Sequence, residues 1–196
     1  MTQHDLREVY PLSKTKNIRG TRRLAREKAM QVIIAYRVCE TDLDQLINHI
    51  FFREFNFEQE ELEKPEKLLR PDEIYELEAD IPLTWKEENL VFGKELINGA
   101  LKNYEATEKL IEEFAKNWEL ERIAPIDKTL LVLAATELMN FPDIPPKVSI
   151  NEALDIAKKY STDKSKTFIN GVLDAMLYKF KKEGKLNKTG RGLQEK

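Results

Sequence analysis

Cysteine is nearly absent from this sequence, with Cys39 standing alone. A single thiol cannot close an internal disulfide, which agrees with a reducing compartment, and as a small apolar residue Cys39 is expected in the interior. Histidine is equally scarce. His4 and His49 are far apart, so no His/Cys set has metal-ligand spacing and no metal is expected. The seven glycines form neither a GxGxxG fingerprint nor a phosphate loop. Long apolar runs are missing too. The longest, Leu130 to Ala135, falls far short of the roughly 20 residues that span a bilayer, and the N-terminus carries nothing like a signal peptide. No membrane partner is expected, and the implied location is the cytoplasm. Carboxylates are plentiful, but no pair stands out as a shielded acid and base, so neither catalysis nor a cofactor is expected.

What is present is charge, 34% of 196 residues, against 41% hydrophobic residues, a balance suited to one well-buried domain with solvated helical surfaces. The net charge of −3 argues against indiscriminate polyanion binding, so any such site must be a local patch. Two patches are visible. Residues 13 to 30 hold Lys14, Lys16, Arg19, Arg22, Arg23, Arg26 and Lys28 against Glu27 alone, an excess of six positive charges. From Glu58 to Asp80, ten acids face Lys64, Lys67 and Arg70, an excess of seven negative charges around Pro65 and Pro71. For the acidic run the ordinary reading is a solvated face or loop.

Residues 1–18 lack sustained periodicity and read as a mobile or loosely docked arm. A first helix is expected near Thr21, with Ala25, Ala29, Val32, Ile33 and Tyr36 in one apolar stripe. A second follows the capping pair Thr41 and Asp42, with Leu43, Leu46, Ile47, Ile50 and Phe51 inward. Residues 56–86 read as an acidic insertion or long connection broken by Pro65, Pro71 and Pro82. Leu90, Ile97, Leu101, Tyr104, Leu110, Ile111 and Phe114 predict one long helix, or two joined near Ala106. Pro125 suits the first turn of a central buried helix carrying Ile126, Leu130, Leu133, Ala134 and Leu138. Beyond the extended link at Pro145 and Pro146, Ser149-Ile150-Asn151-Glu152 fits a capping box. A loop at Ser161 to Lys164 precedes a last helix with Phe168, Val172, Leu173, Met176 and Phe180. Residues 183–196 read as a basic flexible tail. No strand alternation is convincing, so the fold class is all-α.

At about 100° per residue, Arg22, Arg23 and Arg26 share one sector of roughly 100° on a shoulder of the apolar stripe. Together they can face an anionic partner. Guanidinium groups suit RNA, forking onto phosphate oxygens or stacking on unpaired bases. Basic amphipathic helices also bind membranes and acidic proteins, so the cluster alone leaves the partner open.

The run Arg22-Arg23-Leu24-Ala25-Arg26-Glu27-Lys28-Ala29-Met30-Gln31 resembles the Arg-rich opening of the NusB transcription antitermination family. Pro146-Lys147-Val148-Ser149-Ile150-Asn151-Glu152-Ala153, Ala157-Lys158-Lys159-Tyr160 and Phe168-Ile169-Asn170-Gly171-Val172-Leu173-Asp174 resemble its most distinctive blocks, in the same order. The resemblance spans residues 19–182, apart from the acidic segment. It implies a compact all-α bundle of about seven helices that binds boxA RNA together with NusE, a small-subunit ribosomal protein. The complex would act on the RNA polymerase elongation complex, chiefly on ribosomal RNA operons. By matching position, Arg22, Arg23 and Arg26 would meet RNA, with Arg19 in the same basic cluster and Gln31 near the same surface. Lys164, Lys166, Thr167 and Phe168 would complete that site from the loop before the last helix, and Asp127 would lie near the NusE-facing surface. For Phe168 and Asn170 a packing or local hydrogen-bonding role is an equal reading, and Gly171 is expected to permit a close helix contact. Two departures stand out: Ile33-Ile34 where the family commonly has an aromatic, and Lys164 where relatives are often acidic.

Two other readings belong to different classes. A related helical domain precedes the catalytic domain of some ribosomal RNA cytosine methyltransferases, but these 196 residues lack the cofactor loops and second cysteine expected there. A protein-only scaffold or homodimer would instead set the arginines against acidic helices.

Overall fold

The computed structural model describes residues 18–39, 41–52, 83–115 and 122–193. Most of the N-terminal arm and of the acidic segment lies outside the described residues. Six α-helices are described: α1 (Arg22–Val38), α2 (Leu43–Ile47), α3 (Glu87–Phe114), α4 (Pro125–Asn140), α5 (Pro146–Tyr160) and α6 (Asp163–Lys182). Local chemistry sets their starts. The Thr21 hydroxyl accepts the Leu24 N–H at 3.1 Å, and Asp42 accepts those of Asp44 and Gln45 at 2.9 and 3.1 Å, which satisfies donors that an unpaired first turn leaves open. Pro125 and Pro146 occupy first-turn positions where no N–H is needed.

The long periodic stretch before Phe114 is one helix of 28 residues rather than two. At Thr107 the hydroxyl donates back to Asn103 O at 2.9 Å, and the backbone runs on through Ala106 without a break. The capping box at Ser149 does not form. α5 begins three residues earlier at Pro146, so Ser149 and Glu152 lie inside the helix, three apart on one face. Cys39 is exposed at the end of α1, not buried, and Gly171 faces open space instead of a neighbouring helix.

α4 is the hub. Every residue from Thr129 to Leu138 is buried, and α1, α3, α5 and α6 all pack on it. A helix apolar around its circumference needs such complete cover.

Two short strands, β1 (Ile18–Gly20) and β2 (Leu83–Trp85), pair in parallel with Gly20 opposite Trp85. Three residues each are too few to show alternation in the sequence. Trp85 anchors the pair: its indole N–H donates to Phe51 O at 2.7 Å, in the π-helical turn Asn48–Phe52 that follows α2. The ring lies flat against Gly20, where any Cβ would overlap it. Gly20→Ala should therefore push the indole out of place and lower stability by about 1–3 kcal/mol, checked by thermal melting together with a shift in tryptophan emission.

Of the expected flexible tail, residues 183–193 are described. Gly184, at φ +64°, turns the chain back, and Lys188, Thr189 and Gly192 meet the α4–α5 turn before the 3-10 turn Gly190–Leu193 ends the described residues.

Candidate nucleic-acid interface

α1 and α5 both pack on α4 and run in the same direction, bridged by side-chain pairs across the seam between them. Near the start of the seam Arg23 meets Glu152 and Asp155, and one turn further on Glu27 meets Lys159 and Tyr160. α6 begins just past the end of α5, so its first turns lie at the far end of this seam.

The three arginines in the first turns of α1 have three different fates. Arg22 is half-exposed, 4.9 Å above the Phe92 ring and 3.9 Å from Asp143. Arg23 is exposed but held by carboxylates: Nε and Nη2 donate to Glu152 at 3.1 and 2.8 Å, and Nη2 donates to Asp155 at 2.8 Å. These bonds, the one to Glu152 first, push its pKa further up, so the guanidinium stays charged. Arg26 is not on the outer shoulder at all. Only 8% of its side chain is exposed, and Nε and Nη2 fork onto Glu137 at 2.7 and 2.8 Å. The Ser149 hydroxyl donates to the same carboxylate at 2.7 Å. The shared sector on the helical wheel was thus correct in angle, but the core reaches far enough around α1 to enclose Arg26.

The residues expected in a loop before the last helix are helical. Lys164, Lys166, Thr167 and Phe168 fall in the first two turns of α6, capped by Thr162, whose hydroxyl accepts the Ser165 N–H at 3.2 Å. Lys164, Lys166 and Thr167 are exposed, whereas Phe168 is half-buried against the core. Neither lysine has an ion pair among the described residues, and the same holds for Arg19 in β1. Gln31 accepts from Lys28 Nζ at 2.9 Å, half-buried on α1. Asn170 donates to Asp174 at 3.0 Å. Asp127, in the first turn of α4, is buried, and its Oδ1 has no hydrogen-bond partner among the described residues.

On the other side of Arg22, an open groove of about 490 Å³ has Phe92 and Phe141 in its floor and Glu87, Glu88, Glu95 and Asp143 around it. That acidic rim disfavours a polyanion within the groove itself. Among the described residues no three His, Cys, Asp or Glu side chains are grouped to hold a metal, and no helix is long and apolar enough to cross a membrane.

The model of the NusB family matches residues 23–178. The chain belongs to the NusB family. The transcription antitermination protein NusB of Salinibacter ruber is 50% identical over 113 residues, 58% of this chain and 71% of its own length. That of Chloroherpeton thalassium is 40% identical over 173 residues, 88% of this chain and 69% of its own. Among solved structures, NusB of T. maritima superposes with a TM-score of 0.60 at 25% identity, covering 82% of this chain and 93% of that one. A structure of antitermination factors NusB and NusE in complex with double-stranded RNA shares the fold, with a TM-score of 0.56 at 20% identity over 81% of this chain and 96% of that one. The family is one of antitermination factors rather than of enzymes, and the chain has its all-α fold.

Sequence reasoning missed the acids that hold the arginines: Glu137, Glu152 and Asp155. Glu137 did carry a signal, as the one carboxylate in the apolar middle of α4, because a buried charge requires a buried partner.

Proposed function

We propose that this NusB protein is a cytoplasmic antitermination factor that binds boxA-type RNA together with NusE and acts with the RNA polymerase elongation complex on ribosomal RNA operons. Arg19, Arg22 and Arg23 would meet RNA phosphates along the α1–α5 seam. Lys164, Lys166 and Thr167 would meet them at the start of α6, with Gln31 and Phe168 lining the surface between. The observation that carries this reading is the pair Lys164 and Lys166, exposed and without carboxylate partners among the described residues, at the far end of the seam from Arg22. Arg26 has a different part. Its fork onto Glu137 sets where α1 sits on α4, so it positions the seam instead of touching RNA. Asp127, buried in the first turn of α4, would lie beneath the NusE-facing surface and shape it from behind rather than meet NusE directly.

The test is a titration of a short boxA-like RNA and a scrambled control, with and without NusE, at several salt concentrations. NusE should tighten binding to the boxA-like RNA selectively. Lys164→Ala with Lys166→Ala should weaken it several-fold and lower the salt slope by about 0.7 per lost phosphate contact. Equal binding to both RNAs, or an unchanged slope in the double variant, sinks the assignment. Dimers that form in competition with RNA would favour the scaffold reading.

A further inference from the structure

The arginines of α1 are largely engaged within the protein, so it matters which other cations are free and held in place. The C-terminal segment supplies one. It lies beyond residue 178, where the family match ends. Lys188 Nζ donates to Phe141 O at 2.9 Å and to Glu137 O at 3.4 Å, satisfying carbonyls at the end of α4. The Thr189 N–H donates to Pro142 O at 2.9 Å. Gly192 is buried against the Pro142 backbone, where a Cβ would overlap the carbonyl oxygen, and Gly190 takes φ +50° to start the last turn.

Arg191, between those two glycines, takes no part in this docking. It is exposed and has no ion pair among the described residues. The turn beneath it carries Asp143, whose carboxylate lies 3.9 Å from Arg22 at the start of α1. Lys147, in the first turn of α5, is also exposed and unpaired among the described residues. The docked segment thus holds a free guanidinium beside the Arg22 end of the α1–α5 seam, opposite to the end marked by Lys164 and Lys166. From Pro146 to Tyr160 that seam is roughly 21 Å long, at about 1.5 Å per residue.

We propose that residues 188–193 form an additional phosphate-binding element, with Arg191 taking an RNA backbone phosphate at the α4–α5 turn. The inference rests on the RNA reading above and extends its footprint. A guanidinium can fork onto two phosphate oxygens, and the docked backbone on either side of Arg191 lowers the ordering cost of binding. Continuity with the seam selects RNA over an acidic protein segment as the occupant.

The experiment uses the full chain with NusE and compares the unsubstituted protein with Arg191→Ala, Gly192→Val and the double variant. The probe is the boxA-like RNA. Arg191→Ala should melt like the unsubstituted chain, bind roughly three- to fivefold more weakly, and lose about 0.7 from the salt slope. Gly192→Val keeps the arginine but displaces the segment, so it should lose as much, and the double variant should lose no more than either single change. Unaltered affinity and slope for Arg191→Ala overturns the inference while leaving the RNA reading intact. Full affinity in Gly192→Val also overturns it, since docking would then be irrelevant. Failure of the unsubstituted chain to prefer boxA-like over scrambled RNA removes the RNA reading, and this inference with it.

Discussion

Glu137→Ala should cost about 3–5 kcal/mol of folding stability, the loss typical when one partner of a buried ion pair is removed. The substitution leaves Arg26 inside the protein with its main carboxylate gone, and leaves the Ser149 hydroxyl without its acceptor. The nearest remaining acid, Glu152, is 3.6 Å from Nη1 and already holds Arg23. Urea denaturation of the two proteins would measure the difference. Arg26→Ala should lose a comparable amount, whereas Arg26→Met combined with Glu137→Leu should recover most of it, because an apolar pair of similar volume carries no desolvation penalty. A destabilisation below about 1 kcal/mol for both single variants would mean that the pair is solvated in solution. RNA binding by any Arg26 variant has to be measured at a temperature where the protein remains folded.

The second large effect runs in the opposite direction. Glu152→Gln with Asp155→Asn should tighten RNA binding by roughly three- to tenfold, because carboxylates now occupy the positions on Arg23 that phosphate oxygens would take. Exposed ion pairs are individually weak, so RNA can displace them, yet each displacement subtracts from affinity. Removing both charges also reduces local repulsion of the RNA. The readout is affinity at several salt concentrations, and equal or weaker binding by the neutralised variant would exclude Arg23 as a phosphate contact. The melting temperature should fall as well, since Glu152 is only 17% exposed and lies 3.6 Å from Arg26 besides holding Arg23, so affinity is compared at a temperature where both proteins are folded.

Helix starts were legible at Thr21, Asp42 and Pro125, but not at Pro146, read as an extended link, nor at Thr162, read as part of a loop. The central position of α4 was legible from its composition. Arg26 was not, because a helical wheel gives an angle without saying how far the core extends around it. Its neighbours held the missing clue: Ala29 and Met30, three and four residues on, are both buried. Ser149 was misread for a related reason. A Ser-x-x-Glu pattern serves equally as a cap or as two side chains on one helix face, and Pro146 three residues earlier favours the second. The β1–β2 pair was invisible because it is held by Trp85 and Gly20 rather than by strand propensity. Docking of the C-terminal segment depends on backbone carbonyls at Phe141 and Pro142, which no side-chain pattern records.

The pairing of Ile18–Gly20 with Leu83–Trp85 also bears on how this lineage can change. The pairing closes a loop that contains α1, α2 and everything between Phe52 and Leu83, and its seal is local, an indole on a glycine and on one carbonyl. Closure entropy grows only with the logarithm of loop length, by about 0.6 kcal/mol per doubling. Insertions between Phe52 and Leu83 therefore carry a low thermodynamic cost, and that stretch can lengthen, shorten or change charge under selections unrelated to folding. Evolution has a clasp here whose strap length it can adjust without recutting the garment.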